Sequence, residues 1–79
     1  MPTIKVYSTS SCPYCYTVKA FLDEHGFQYE DVNVAEDAKA REKMINKTGQ
    51  TGVPVVEIDG QIIVGFDRER ICQILSIKD

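Results

Sequence analysis

Hydrophobic and polar residues alternate in three stretches of the chain, and this alternation is typical of β-strands with one buried face. In TIKVYS, Ile4 and Val6 would lie on the face opposite to Tyr7. FQYEDVNV, at residues 27–34, alternates less regularly but also predicts a strand. VPVVEIDGQIIV contains the turn dipeptide Asp59-Gly60, which predicts a β-hairpin.

Three other stretches have the spacing of helices with one apolar face. The first follows Pro13, which suits the first position of a helix, and Gly26 would end it. The second runs from Ala35 to about Lys47, and the third from Asp67 to about Ser76. In the first helix, Val18, Phe21, Leu22 and His25 fall at helical spacing, and His25 would close the helix. The residues predicted to face inward are Ala38, Arg41, Met44 and Ile45 in the second helix, and Ile71, Ile74 and Leu75 in the third.

The predicted order is therefore β-α-β-α-β-β-α, in a single domain that spans residues 1–79. Two strands joined by a helical crossover pair in parallel, whereas the strands of a hairpin pair antiparallel. We therefore predict an α/β fold, in which a four-stranded mixed sheet has helices on both faces.

The composition excludes some classes of function. The net charge is −3, so we expect no nucleic-acid partner. No stretch approaches the roughly 18 apolar residues of a membrane helix, and the N-terminus lacks the pattern of a secretory signal. We therefore expect a cytoplasmic protein with no membrane partner.

The cysteines carry the candidate chemistry. A structural zinc site would need two ligands besides Cys12 and Cys15, and Cys72 and His25 do not form a closely spaced pair. A disulfide between Cys12 and Cys15 would close too short a loop to stabilise the fold much. A Cys-x-x-Cys pair beside a β-α-β pattern, without a secretory context, favours redox chemistry.

The two cysteines of SSCPYC differ in their position relative to the first helix. Cys12 directly precedes Pro13, where unpaired N–H groups and the helix dipole favour a thiolate. Cys15 lies one turn deeper, within reach of the same sulfur. We therefore assign Cys12 as the catalytic nucleophile and Cys15 as the resolving thiol, and we expect Tyr14 to contact the substrate.

Pro54 lies at the predicted start of the third strand, where the missing N–H of a proline is tolerated. It is either an ordinary strand-start proline or a cis proline that leaves the backbone of Val53 free to pair with a guest chain. The spacing alone leaves both alternatives open.

Together, KVYSTSSCPYC, TGVPVVEIDG and GFDRE resemble the glutaredoxins, which have the thioredoxin fold. The resemblance extends over nearly the whole chain. It implies an enzyme of reversible thiol–disulfide exchange, with glutathione as co-substrate and no tightly bound cofactor. Its substrates would be proteins that carry a disulfide or a glutathione mixed disulfide, and we expect it to be a monomer.

The resemblance also implies a groove for glutathione. Pro54 would be the cis proline, and the backbone of Val53 would pair with the cysteinyl part of glutathione. The turn at 65–67 would hold the γ-glutamyl carboxylate at a helix N-terminus, where an anion is stabilised. The residues predicted to bind substrate are Thr9, Pro13, Tyr14, Gly52, Val53, Pro54, Gly65, Phe66 and Asp67.

The chain departs from the usual glutaredoxin sequence at three positions. Thr9 stands where many members have lysine or arginine, Gly52 replaces the usual threonine, and Val64 replaces the first of two glycines. Without a cation at position 9, the groove holds a glutathione carboxylate less strongly, unless Lys19 or Lys47 compensates.

Two alternative functions follow from the same resemblance. Gly65-Phe66 also occurs before the last helix of glutaredoxin-like redoxins that thioredoxin reductase reduces. Some glutaredoxins instead carry a [2Fe–2S] cluster, which Cys12 of two chains would hold together with two glutathiones.

Cys72 lies among apolar residues of the last helix, so packing is favoured there over a regulatory thiol.

Overall fold

The computed structural model describes residues 3–77, and the predicted order of strands and helices is confirmed. The elements are β1 (Ile4–Ser8), α1 (Pro13–Glu24), β2 (Glu30–Asn33), α2 (Ala38–Thr48), β3 (Val55–Ile58), β4 (Gln61–Val64) and α3 (Arg68–Leu75). Within the described residues, no helix has both the length and the apolar character needed to cross a membrane.

The four strands form one mixed sheet in the order β2-β1-β3-β4. The crossover through α1 makes β1 and β2 parallel, and Ser8 pairs with Asn33. The other two pairs are antiparallel, so that Val55 lies between Tyr7 on β1 and Val64 on β4. The ends of β1, β2 and β4 and the start of β3 therefore meet at one edge of the sheet, which we call the loop edge.

Buried side chains form a hydrophobic cluster on each face of the sheet, as predicted. Ile4 and Val6 contribute to one cluster and Tyr7 to the other, because successive side chains of a strand point to opposite faces. The first cluster consists of Ile4, Val6, Val18, Phe21, Leu22, Val56, Ile58, Ile63 and Ile71, and the second of Tyr7, Val34, Met44 and Val55. Helices α1 and α3 thus cover one face and α2 the other.

The predicted hairpin turn at Asp59-Gly60 is confirmed. Both residues have positive φ, 48° and 86°, which suits a two-residue turn between twisted antiparallel strands. The Asp59 carboxylate accepts a hydrogen bond of 2.8 Å from the N–H of Thr3, and its own N–H donates to the Thr3 carbonyl at 2.9 Å. The turn therefore also fixes the start of β1.

The boundaries of two elements differ from those predicted. Strand β2 begins at Glu30 rather than Phe27, because the Phe27 N–H donates to the Leu22 carbonyl and keeps that segment attached to α1. Helix α2 begins at Ala38 rather than Ala35. The N–H of Ala35 donates to the Asn33 side chain at 2.9 Å, and residues 34–37 form a turn that ends at the helix cap.

The predicted inner face of α2 was also partly wrong. Ala38 and Arg41 are exposed, Ile45 is half-buried, and only Met44 is fully buried. Ala40 packs against the second cluster, four residues before Met44. The helix therefore presents the 40–44 face to the sheet, and Arg41 is left on the surface.

We predict that Met44→Ala lowers the free energy of unfolding by about 2–5 kcal/mol, because it leaves a cavity among Tyr7, Val34 and Val55. Urea denaturation measures this change. The exposed neighbour Lys43 is the control, and Lys43→Ala should change the same quantity by no more than about 0.5 kcal/mol. Equal effects at the two positions would contradict the assignment of Met44 to the core.

Candidate active site

The loop edge of the sheet carries the two cysteines of the Cys-x-x-Cys pair. Strand β1 ends at Ser8, the chain turns through residues 9–11, and Cys12 is the N-cap of α1, with Pro13 at the first helical position. Cys12 has extended backbone angles, φ −99° and ψ 109°. The predicted junction between strand and helix is therefore confirmed, and it places a cysteine at the helix N-terminus.

The sulfur of Cys12 lies where an N-cap side chain accepts a hydrogen bond. The N–H of Cys15 donates to it at 3.2 Å, and the N–H of Cys12 itself donates to the carbonyl of Thr9 at 3.4 Å. Cys12 is half-buried. A sulfur anion at this position is stabilised by the N–H donor and by the positive end of the helix dipole.

Cys15 has a different environment from Cys12. Its side chain is fully buried, at 0% exposure. Burial, together with the hydrogen bond and charge of the neighbouring Cys12, raises the pKa of the Cys15 thiol to about 11. At neutral pH Cys15 is therefore protonated, and solvent reaches Cys12 but not Cys15.

A polar network that the sequence did not reveal includes Lys19, which interacts electrostatically with Cys15. Lys19 Nζ donates to Asp31 Oδ2 at 2.8 Å, and the hydroxyl of the buried Ser8 donates to Asp31 Oδ1 at 2.7 Å. Burial opposes both charges, but the pairing outweighs it. The pKa of Lys19 is consequently raised and that of Asp31 lowered, so the pair is ionised at neutral pH.

The peptide bond between Val53 and Pro54 is cis, which decides between the two alternatives left open by the sequence. Pro54 is buried and directly precedes β3, and its carbonyl accepts a hydrogen bond of 2.8 Å from the N–H of Gly65, whose φ is +79°. Gly52 is exposed and Val53 half-buried. Within residues 3–77, neither the N–H nor the C=O of Val53 has a hydrogen-bond partner.

The segment before α3 lies next to this proline. The ring of Phe66 packs edge-on against Phe21, with centroids 5.8 Å apart. Asp67 is the N-cap of α3, and its carboxylate accepts a hydrogen bond of 3.2 Å from the N–H of Arg70. The hydrogen bond from Gly65 to Pro54 therefore joins the two segments that the sequence analysis assigned to one groove.

Two exposed tyrosines lie near the cysteines. Tyr14, between Cys12 and Cys15, is 66% exposed and thus available for contact with a substrate. Tyr16 was not singled out from the sequence. Its hydroxyl donates to the Ser10 carbonyl at 2.8 Å and so ties the loop before Cys12 to the first turn of α1.

The neighbourhood of Thr9 does contain a cation, although neither lysine proposed from the sequence is free to supply it. Lys19 is paired with Asp31, and Lys47 with Glu57. The cation is Arg41, which lies in an open groove of about 410 Å³. The groove is lined by Thr9, Val34, Ala35, Glu36, Ala38, Arg41 and Thr51. Arg41 was not predicted as a site residue, because its helical spacing assigned the side chain to the inner face of α2.

Comparison with known proteins identifies the family to which the chain belongs. A family model described as Glutaredoxin matches residues 4–63. A glutaredoxin-like 8.6 kDa protein of Clostridium pasteurianum, from a rubredoxin operon, is 47% identical over 73 residues, which cover 92% of this chain and 97% of the relative. Glutaredoxin 3 of Escherichia coli is 37% identical over 67 residues, covering 85% and 81% of the two chains.

Solved structures show the same fold. A mutant of the thioredoxin-like protein BC3987 has a TM-score of 0.90 at 37% identity, with 99% of this chain and 100% of that chain covered. A complex of buckwheat glutaredoxin with glutathione has a TM-score of 0.76 at 26% identity, with 96% and 72% covered. The chain therefore belongs to the glutaredoxin family, and it is a thiol–disulfide oxidoreductase with the thioredoxin fold.

Proposed function

We propose that this oxidoreductase is a dithiol glutaredoxin, which uses glutathione to reduce protein disulfides and glutathione mixed disulfides. Cys12 is the nucleophile and Cys15 the resolving thiol. The observation that carries this proposal is the contrast between the two sulfurs: that of Cys12 is partly accessible and accepts a helix N–H, whereas that of Cys15 is buried.

The reaction proceeds by two exchanges at sulfur. The Cys12 thiolate attacks one sulfur of the substrate disulfide, a mixed disulfide forms, and the other substrate sulfur leaves as a thiolate. Cys15 then loses its proton to solvent and attacks the Cys12 sulfur. The Cys12–Cys15 disulfide forms, the second substrate thiolate leaves, and both leaving thiolates take protons from water. Two electrons thus pass from the enzyme to the substrate.

Glutathione restores the thiols by the reverse sequence. A second glutathione molecule can also release a glutathionyl group from Cys12 without the help of Cys15. When the substrate is a glutathione mixed disulfide, the Cys12 thiolate attacks the glutathione sulfur, and the substrate thiol leaves as a thiolate that takes a proton from water. The thiolate of a second glutathione then attacks the glutathionyl sulfur on Cys12, so that glutathione disulfide leaves and the Cys12 thiolate is regenerated. This route needs one enzyme thiol, whereas reduction of a protein disulfide needs both.

The loop edge offers matching groups for glutathione. The unpaired N–H and C=O of Val53 suit the backbone of the cysteinyl residue, as in the addition of a strand to a sheet edge. The N-terminus of α3, at Gly65-Phe66-Asp67, suits the γ-glutamyl end. Arg41 in the groove beside Thr9 suits a carboxylate. The buckwheat glutaredoxin with the same fold was solved with glutathione bound, which favours this ligand.

We predict that Cys12→Ser abolishes reduction of both a glutathione mixed disulfide and insulin, because no other cysteine in residues 3–77 caps a helix. Cys15→Ser should retain activity on the mixed disulfide and lose activity on insulin. Coupled assays with glutathione and glutathione reductase measure both, and Cys72→Ala is the control, with near-normal turnover expected.

Three outcomes would contradict this proposal. If Cys15→Ser loses both activities while its circular dichroism is unchanged, glutathione is not the reductant. If the wild-type protein turns over only with thioredoxin reductase, it is a reductase-linked redoxin. Visible absorbance of a brown protein purified without oxygen would instead identify a [2Fe–2S] carrier.

We also predict that Arg41→Gln raises the KM for a glutathione mixed disulfide about fivefold and leaves kcat within about twofold. The change corresponds to about 1 kcal/mol, the upper range for one exposed charge pair. Because salt screens such a pair, the wild-type KM should rise with ionic strength more than the variant's KM does. Lys43→Gln removes the same charge from an exposed position of α2 and should leave KM unchanged. Equal values for the two variants would exclude Arg41 from the site.

A further inference from the structure

The side chain of Lys19 is held in a fixed place beside the buried cysteine. Only 18% of it is exposed, and its ammonium group donates to Asp31 at 2.8 Å. Asp31 is in turn fixed by the hydroxyl of Ser8, the last residue of β1. The ammonium also lies 5.5 Å from the centre of the Tyr16 ring. The charge of Lys19 is therefore positioned by groups from β1, β2 and α1.

Lys19 and Cys15 are neighbours on α1. They are four residues apart, a spacing that puts the two side chains on the same face of a helix, with Cβ atoms about 5–6 Å apart. Groups outside α1 also face this pair. Cys12 lies at the helix N-terminus beside Cys15. Electrostatic interactions with Asp31 on β2 and with the hydroxyl of Tyr29 raise the pKa of Lys19.

We propose that Lys19, held by Asp31, is a positioning residue for the resolving step, in which its ammonium group stabilises the Cys15 thiolate as that thiolate attacks the mixed disulfide on Cys12. The proposal rests on the roles of the two thiols given above, but not on glutathione as the reductant. The ion pair thus has a specific function beside the thiol that solvent does not reach.

The chemistry of the resolving step explains why a cation is useful there. Cys15 must give its proton to solvent before it can form the Cys12–Cys15 bond and release the bound thiolate. Burial opposes this ionisation, and it is the largest cause of the raised pKa of Cys15. In the mixed disulfide, Cys12 carries no thiol, so its share of the increase disappears while burial remains. Lys19 and the backbone at Thr9 act in the opposite direction, by lowering the pKa of Cys15.

The ion pair allows an electrostatic function to be separated from a structural one. Lys19→Gln removes the positive charge near Cys15 and keeps a donor for Asp31. Asp31→Asn removes the negative charge and keeps an acceptor for Lys19. A purely structural role predicts that both variants impair the resolving step. An electrostatic role predicts that the two variants shift its pH dependence in opposite directions.

The test uses the reduced protein with Cys72→Ala in every variant, so that Cys12 and Cys15 are the thiols that report. The probe is 5,5′-dithiobis(2-nitrobenzoate). Attack by Cys12 releases one thionitrobenzoate and leaves the other bound as a mixed disulfide. Attack by Cys15 then releases the second, and stopped-flow absorbance follows the two phases separately over a range of pH.

We expect Lys19→Gln to slow the second phase about threefold to tenfold at neutral pH and to raise its pH midpoint by about 0.5 to 1 unit, since a rise of one unit in the pKa of a thiol lowers its thiolate fraction about tenfold. Lys19→Arg should restore the wild-type midpoint, and Asp31→Asn should lower it. The first phase should change less than about twofold in each variant.

A second-phase midpoint that is unchanged in Lys19→Gln, or that moves the same way in both variants, overturns the proposal. So does an equal slowing of both phases. If one variant does not fold, as judged by circular dichroism, the direction of the shift in the other still decides the result. Absence of a second phase in the parent protein would instead contradict the assignment of Cys15 as the resolving thiol.

Discussion

Each helix in residues 3–77 begins at a side chain that accepts the N–H of the third residue after it. In α2 and α3 the acceptor is a carboxylate, from Asp37 and Asp67. In α1 it is the sulfur of Cys12, at 3.2 Å from the N–H of Cys15. The sulfur of Cys12 thus takes the place that a carboxylate occupies in the other two helices. One hydrogen bond therefore contributes to the start of α1 and also holds the sulfur of Cys12 at the loop edge.

The sheet determines what surrounds this sulfur. The pairing of Val55 with Tyr7 and with Val64 fixes the start of β3 and the end of β4 beside the end of β1. The hydrogen bond from Gly65 to Pro54 extends this order beyond the last paired residues. The positions of the two segments assigned to the glutathione groove, 53–54 and 65–67, therefore depend on strand register. Hydrogen bonds between the strands stabilise their arrangement.

The sequence predicted those parts of the molecule that depend on neighbouring residues. Asp59-Gly60, Pro13 and the cysteine pair each act within a few positions, so the turn, the helix start and the contrast between the two thiols could be inferred directly. Two features of the site depend on distant residues, and they could not be inferred from the sequence. The contact of Lys19 with Asp31 joins residues 12 apart, and that of Ser8 with Asp31 joins residues 23 apart. Arg41 was missed because its spacing placed it on the same face as Met44, whereas α2 contacts the second cluster through Ala40 and Met44.

The two sulfurs have different surroundings, and this difference favours one order of events. Cys12 is half-buried, and its sulfur receives a helix N–H, so it is the thiol that an incoming disulfide can meet. Cys15 is buried and has a pKa raised to about 11, so it does not compete for that disulfide at neutral pH. Lys19 is four residues beyond Cys15 and is held by Asp31, so its charge stays where it lowers the pKa of the buried thiol. In the mechanism that we propose, Cys12 forms the mixed disulfide first, and the ionisation of the buried thiol then controls the next step. In that mechanism, burial, a helix N-terminus and a single ion pair together determine the order in which the two cysteines react.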